Sequence, residues 1–139
     1  MLKEVKSANF FTHYQNFYNL QISSINPEQK LALLHFGDQF LSVPYESERV
    51  CPHLKVNFKA SDVLIAKENV SGISARNQIE AEIKEIIILN GKTFLYTQIE
   101  NFSCLVEMTM SSFQEIQLKK GQSVFLIIKA SSIEVSNQV

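Results

Sequence analysis

The sequence carries an internal repeat at a spacing of half its length, which favours two similar modules. Residues 58–65 and 128–135 share the tripeptide Lys-Ala-Ser, at Lys59–Ser61 and Lys129–Ser131, and a similar apolar pattern around it, 70 positions apart. An alternating apolar stretch precedes each copy, at residues 54–58 and 124–128. We predict two modules, at residues 1–68 and 74–136.

The second module has the pattern of β-structure. Apolar residues alternate with charged residues from Ile79 to Lys84, which is the period of a half-buried strand. The phase shifts at Glu85-Ile86, which predicts a bulge, and Asn90-Gly91 predicts a tight hairpin. Further strands are predicted at 92–98, 104–110 and 123–129, with a short helix that begins at the capping box Ser112–Glu115 and ends at Lys120-Gly121.

The first module shows the same outline. Strands are predicted at 17–25, 30–36 and 40–43, and Gly37-Asp38 is expected to turn the second hairpin. Three strands, a short helix and two more strands are typical of an OB-like barrel. The predicted fold class is therefore all-β, with one short helix per module, as two tandem OB-like five-stranded barrels.

Composition and motifs exclude several function classes. The net charge of −1 and the pI near 6.3 argue against broad electrostatic binding of nucleic acid. The longest apolar runs are too short to span a bilayer, and no secretory signal is visible at the start of the chain, so we expect a cytoplasmic protein without membrane insertion. Motifs of hydrolases, zinc proteases and nucleotide-binding loops are absent, and we predict that the chain is not an enzyme.

The cysteines and histidines give no metal-binding pattern. Cys51 and Cys104 do not form a CxxC pair, and we expect two reduced thiols rather than a disulfide. His13, His35 and His53 are scattered, and we interpret them as ordinary surface or core residues. No direct protein–metal ligand is predicted.

Three segments could together bind an anion. The stretch from Val70 to Gln78 combines Gly72 and small residues with Arg76, and could form a nest of backbone N–H groups; a solvated linker is the alternative. Each Lys-Ala-Ser tripeptide offers a cation, a hydroxyl and N–H groups, although the lysine could simply be the polar end of a strand. Thr109 and Ser112 add hydroxyls, or Ser112 could be only a helix cap. A set of donors without a carboxylate suits a dianion.

These segments carry a resemblance to a known family. Ser74-Ala75-Arg76-Asn77, Thr109-Met110-Ser111-Ser112 and Lys129-Ala130-Ser131 look like the sequential signature of the molybdate-binding Mop domain, a member of the TOBE superfamily. The first half is similar to the region that precedes this module in the ATPase subunit of molybdate ABC importers, at His13, Tyr18–Leu20, Leu41–Pro44 and Lys59–Val63. The whole chain resembles the C-terminal regulatory domain of that ATPase, and also free-standing proteins made of two Mop modules.

The resemblance implies a binding protein for molybdate or tungstate, without a nucleotide, that serves molybdenum storage, homeostasis or regulation of the importer. The implied partners are the small oxyanion and components of the molybdate importer. The first half has Ser7-Ala8-Asn9, without arginine, where a complete second site would have Ser-Ala-Arg-Asn. The implied ligand residues are Ser74, Ala75, Arg76, Asn77, Thr109, Ser112, Lys129, Ala130 and Ser131, and a second site would use Lys59, Ala60 and Ser61.

Two other functions remain open at this point. One is a ligand-free TOBE module for interaction or regulation. The other is an OB-type nucleic-acid binder, in which aromatic side chains would stack on bases; the alternative for those aromatics, which the low net charge favours, is barrel core or subunit interface. The candidate platforms are Phe10, Phe11, Tyr14, Phe17 and Tyr18.

We also expect a homo-oligomer, with a dimer as the first choice and a trimer as the second. Apolar residues make up 45% of the chain, and two small barrels bury a modest share of their surface. The donors are split between a linker before the second barrel and a strand end after it. We therefore predict anion sites at subunit boundaries, on the reasoning that one small barrel could hardly gather both groups.

Overall fold

The computed structural model describes residues 3–4, 14–46 and 51–136. Within these ranges the chain is built mainly of strands, with one α-helix and two short 3-10 turns, Ala60–Asp62 and Ala130–Ser132. The elements are β1 (Lys3–Glu4), β2 (Tyr14–Asn26), β3 (Leu31–Phe36), β4 (Gln39–Pro44), β5 (His53–Lys59), β6 (Leu64–Ala66), β7 (Asn77–Leu89), β8 (Lys92–Ile99), β9 (Phe102–Thr109), α1 (Met110–Ile116), β10 (Ser123–Ile128) and β11 (Glu134–Ser136).

The strands form two curled antiparallel sheets, as the all-β prediction of tandem barrels requires. The first sheet has the order β11-β5-β2-β3-β4, with β1 paired to β2, and the second has the order β6-β10-β7-β8-β9. Strand β6 follows β5 in the chain but pairs with β10, whereas β11 follows β10 but pairs with β5. The two halves have therefore exchanged their last strands.

Because of this exchange, the two halves of the sequence repeat do not coincide with the two sheets. The ranges 1–68 and 74–136 stay predictions from that repeat, and in each of them the final strand belongs to the sheet of the other half. The repeat itself corresponds to a repeated structure, because Lys59 and Lys129 both precede a 3-10 turn with nearly the same backbone angles.

Both predicted hairpins of the sheets are confirmed. Leu89 pairs with Lys92 across Asn90-Gly91, whose φ angles of 51° and 77° are those that a two-residue hairpin requires. Phe36 pairs with Gln39 across Gly37-Asp38. The bulge predicted at Glu85-Ile86 appears as a register shift between Ile83 and Glu85, and β2 has a matching shift between Ile22 and Ser24.

The helix differs from its prediction. It spans Met110–Ile116 rather than Ser112 to Lys120, because the hydroxyl of Thr109, not of Ser112, caps it by accepting from the Ser112 N–H at 3.1 Å. Gln117 ends it in the left-handed region, at a φ of 56°. A helix was expected in each module; the matching stretch of the first half includes residues 47–50, which lie outside the described residues.

One apolar core extends through both sheets. It includes Phe36 and Phe58 from the first half and Ile83 and Leu126 from the second. The ring of Tyr18 is 4.9 Å from that of Phe36 and 5.9 Å from that of Phe102. The hydroxyl of Tyr18 donates to the carbonyl oxygen of Ser103 at 2.6 Å, which joins β2 to β9.

The packing of the aromatic residues weakens the nucleic-acid alternative. Tyr18 belongs to the core, and the ring of Tyr14 packs edge to face on that of Phe94, at 5.1 Å. Phe17 is 54% exposed, whereas Phe10 and Phe11 lie outside the described residues. Two of the five proposed stacking platforms are therefore engaged within the protein.

Side-chain amides fasten the second barrel to the first. The Gln39 amide donates to the carbonyl oxygen of Glu80 at 2.9 Å and accepts from its N–H at 2.8 Å. The Asn77 amide bridges the backbone of Ser42 in the same manner. Strands β4 and β7 are thus joined by two such pairs, although they belong to different sheets.

Other predictions concern single residue types. Cys51 and Cys104 are both free thiols, as predicted. Within the described ranges, no group of three or more His, Cys, Asp or Glu side chains could hold a metal ion. No helix in this part of the chain is long and apolar enough to cross a membrane.

Candidate anion-binding site

Two of the predicted segments meet at one end of the second sheet. Strands β7 and β10 are antiparallel, and their last pair is Asn77 with Ile128. The residues immediately beyond this pair are Arg76 on one strand and Lys129 on the other. The segment Ser74–Arg76 therefore enters the sheet where Lys129–Ser131 leaves it, and the two segments are neighbours within one barrel.

The cluster around Arg76 and Lys129 is positively charged and accessible. Both side chains are exposed, as are Ser74 and Ser131, while Ala75 and Ala130 are half-buried. In the described part of the chain, the ion pairs are formed by other lysines and none includes Arg76 or Lys129. Two cations and two hydroxyls are thus available to a ligand at this end of the sheet.

Asn77, the last residue of the predicted motif, has a different environment. It is 2% exposed. Its side-chain oxygen accepts from the Ser42 N–H at 2.7 Å, and its amide nitrogen donates to the Ser42 carbonyl oxygen at 3.0 Å. The side chain is therefore engaged with the first barrel, next to the exposed Arg76.

The linker before Arg76 is also held by an amide. The side-chain oxygen of Gln78 accepts from the Val70 N–H at 2.8 Å, and its nitrogen donates to the Val70 carbonyl oxygen at 2.5 Å. Between these anchors, residues 71–74 are exposed and Gly72 has a φ of 71°. The linker is thus a fastened loop rather than a free connection.

Thr109 and Ser112 line another part of the surface. They lie at the start of α1, where the Thr109 hydroxyl donates to the Ser112 hydroxyl at 3.0 Å. Together with Ser61 they line an open cleft of about 530 Å³, in which Lys92 and Glu107 form an ion pair of 3.2 Å. Neither Arg76 nor Lys129 lines this cleft, so the nine predicted ligand residues divide into two groups within the chain.

The first half contains a counterpart of the cationic cluster. Asn16 pairs with Phe58 as Asn77 pairs with Ile128, and Gln15 pairs with Lys59. This register aligns Gln15 with Arg76, and the Gln15 side-chain oxygen accepts from the Asn57 amide at 2.6 Å. At this pair of described positions, the second predicted site, at Lys59, Ala60 and Ser61, has the cation Lys59 and the neutral Gln15, where the other has two cations.

The register gives a structural alignment of the two halves. Asn16 corresponds to Asn77, and Gln15 corresponds to Arg76. Ser7-Ala8-Asn9, on which the prediction of a missing arginine rests, and His13 lie outside the described residues. That prediction therefore stays a prediction.

A buried polar cluster lies away from both groups. Burial raises the pKa of the Cys104 thiol to about 12, although the neighbouring hydroxyl groups of Tyr18 and Thr97 act in the opposite direction. Burial also raises the pKa of the Tyr18 hydroxyl, and the neighbouring Cys104 adds to the shift. Both groups are therefore held in their neutral forms.

Comparison with known proteins confirms the predicted resemblance. Residues 73–135 match the TOBE domain family. This part of the chain contains both the Ser74–Asn77 segment and the Lys129–Ser131 segment.

The relatives extend the likeness to the first half. The chain is 26% identical over 115 residues to the molybdenum import ATP-binding protein ModC of Haemophilus ducreyi, covering 82% of this chain and 33% of the relative. For ModC of Haemophilus influenzae the identity is 27% over 108 residues, covering 78% and 31%. The chain thus spans about a third of the length of these curated relatives.

A solved structure shares the fold. The cytoplasmic molybdate-binding protein ModG, in a crystal form with molybdate bound, matches with a TM-score of 0.73 and 19% identity, covering 96% of this chain and 99% of that one. The tandem arrangement predicted from the sequence repeat is therefore the fold of the chain.

Proposed function

We propose that this chain binds molybdate, or tungstate of the same shape and charge, at the cluster formed by Arg76 and Lys129. The observation that carries the proposal is the pairing of β7 with β10, which brings these two exposed cations together. The TOBE match over the same residues and the molybdate-related names of the relatives support it.

Binding would need no bond to be made or broken. The Arg76 guanidinium offers a rigid fork of donors, and Lys129 offers a compact charge. Ser74 and Ser131 would add hydroxyl donors, and the backbone around Ala75 and Ala130 would add N–H groups. Charge-assisted hydrogen bonds contribute about 1.5–3 kcal/mol each, so a few that converge on one dianion are enough for micromolar binding after ordering costs.

Thr109 and Ser112 would join the site in an oligomer. Because they line a cleft that Arg76 and Lys129 do not reach, we propose that a second copy of the chain brings its own Thr109 and Ser112 to the anion. A two-fold dimer is the first choice, since closed two-fold assemblies are the commonest, and a trimer is the second.

The biological role would be that of a binding protein in the cytoplasm rather than an enzyme. Storage of the oxyanion, homeostasis and regulation of a molybdate importer all fit a reversible dianion site. The likeness to ModC supports an association with importer components.

The proposal is tested by native mass spectrometry of the full chain with added sodium molybdate, with sodium sulfate as the control. We expect a mass increase for molybdate and none for sulfate at the same concentration, because donors spaced for the larger molybdate would not all contact the oxygens of the smaller sulfate. Absence of any molybdate-dependent mass, together with a melting temperature that molybdate leaves unchanged, would contradict the proposal.

A ligand-free regulatory module is the second candidate, and one observation favours it for the first half. Gln15 replaces arginine beside Lys59 and is engaged with Asn57. This half would then support the second barrel without binding an anion of its own. One bound molybdate per chain, rather than two, is the expected stoichiometry.

A further inference from the structure

We infer that Gln78 is a positioning residue for anion binding, because its hydrogen bonds with the Val70 backbone hold the linker that carries Ser74 and Arg76. The inference rests on the proposed function. It concerns a residue outside the predicted ligand set, and the Gln78 amide makes two hydrogen bonds with the backbone of Val70.

The geometry of the contact supports this role. Gln78 both accepts from and donates to the same residue, so one side chain fixes the position and the direction of the Val70 peptide groups. At the other end of the loop, Asn77 is held by the backbone of Ser42. The intervening residues 71–76, which include Ser74 and Arg76, therefore form a loop whose two ends are held by hydrogen bonds.

Such anchoring should matter for affinity because flexible ligand groups lose freedom on binding. A loop that is already held near its bound conformation loses less conformational entropy when the anion arrives. Residues 71–74 are exposed and have little packing of their own, and Gly72 adds backbone freedom. The two hydrogen bonds between Gln78 and Val70, which we call the clamp, therefore restrict the motion of the loop on the side that precedes Arg76.

The first half provides an internal comparison. The register that aligns Asn16 with Asn77 aligns Phe17 with Gln78. Phe17 has no amide and is 54% exposed. The clamp thus occurs in the half that carries Arg76, and the half that has Gln15 lacks an amide at the matching position.

The test compares two glutamine variants with the same lost chemistry. Gln78→Leu removes the two hydrogen bonds with the Val70 backbone. Gln39→Leu removes an equivalent pair of hydrogen bonds with the Glu80 backbone, which lies outside the loop. Binding of sodium molybdate to the full chain is measured by isothermal titration, stability by thermal melting, and the Val70 amide by hydrogen exchange with NMR detection. If Gln78→Leu does not fold, Gln78→Met replaces it.

We expect Gln78→Leu to weaken molybdate binding by about fivefold, or about 1 kcal/mol, with faster exchange of the Val70 amide. Gln39→Leu should lower the melting temperature about as much as Gln78→Leu does. It should leave the affinity for molybdate within about twofold of that of the unmodified chain. Unchanged affinity in Gln78→Leu, or an equal loss in both variants, would overturn the inference. Failure of the unmodified chain to bind molybdate would instead overturn the proposed function, and with it the basis of the inference.

Discussion

Asn16 and Asn77 make the same pair of hydrogen bonds, each with a backbone residue of the opposite barrel. The Asn16 amide donates to the carbonyl oxygen of Leu105 at 3.0 Å and accepts from its N–H at 2.8 Å. Asn77 bridges Ser42 at 3.0 and 2.7 Å. Both asparagines are 2% exposed, so the two barrels are joined by contacts related by an approximate two-fold symmetry.

The first prediction concerns these asparagines. Asn16→Leu and Asn77→Leu should each lower the free energy of unfolding by about 2–4 kcal/mol, because each leaves a backbone N–H and a carbonyl oxygen without a partner in a buried setting. Urea denaturation monitored by circular dichroism measures the effect. Asn26→Leu, which removes two exposed hydrogen bonds with Gln29, is the control and should cost less than about 1 kcal/mol. Equal stability of all three variants would contradict this account.

The second prediction concerns the arginine of the proposed site. Arg76→Ala should weaken molybdate binding at least about tenfold, which corresponds to about 1.4 kcal/mol, because one of the two cations is lost. Isothermal titration measures the dissociation constant. Lys84→Ala, on the strand β7 that begins directly after Arg76, is the matched control, since it removes a charge that is paired with Glu82. Unchanged affinity in Arg76→Ala would remove Arg76 from the site and would favour the alternative in which residues 70–78 are a solvated linker.

The third prediction compares the two equivalent lysines. Lys129→Ala should weaken molybdate binding, whereas Lys59→Ala should leave it nearly unchanged, because Lys129 lies beside Arg76 and Lys59 lies beside the neutral Gln15. The same titration gives both affinities and the stoichiometry. Equal losses in the two variants would indicate two sites per chain.

The fourth prediction follows from the buried thiol. Because burial raises the pKa of Cys104 to about 12, the folded state keeps its proton above the ordinary thiol pKa of about 8.5, where the unfolded state loses it. The free energy of unfolding should therefore be unaffected by this thiol below about pH 8.5 and should fall as the pH rises towards 12. Urea denaturation of the unmodified chain and of Cys104→Ala between pH 7 and 10 tests this, and the variant should show a shallower fall.

The fifth prediction concerns assembly. Light scattering should find a dimer, or failing that a trimer, at micromolar concentration, because the proposed site needs Thr109 and Ser112 of a second copy. The double variant Thr109→Val with Ser112→Ala should then weaken molybdate binding. Full affinity in a stable monomer would exclude a site shared between subunits.

The local features of the fold could be predicted from the sequence because each depends on neighbouring residues. Asn90-Gly91 supplies the positive φ angles of a tight turn, and the phase shift after Ile83 marks the bulge. The Lys-Ala-Ser repeat likewise corresponds to two 3-10 turns of the same geometry. In the candidate site, the two segments could be identified from the sequence, but the proximity of Arg76 and Lys129 depends on the pairing of β7 with β10, which lie far apart in the chain.

Features that depend on distant partners could not be predicted. A short strand such as β6 has the same apolar pattern whether it pairs within its own half or with β10. Asn16 and Asn77 are polar residues at buried positions, and their sequence does not identify Ser42 or Leu105 as partners. The start of α1 was misplaced for a local reason, because Thr109 and Ser112 are both good capping residues and only the structure distinguishes them.

The exchange of β6 and β11 has a consequence for synthesis of the protein on the ribosome. The edge of the first sheet beside β5 is covered by β11, the last strand in the described chain. During translation the backbone groups of this edge stay unpaired until almost all of the second barrel has been synthesised. Folding of the first barrel therefore cannot be completed before the second is synthesised, and the nascent chain has an open strand edge to which another nascent copy could pair.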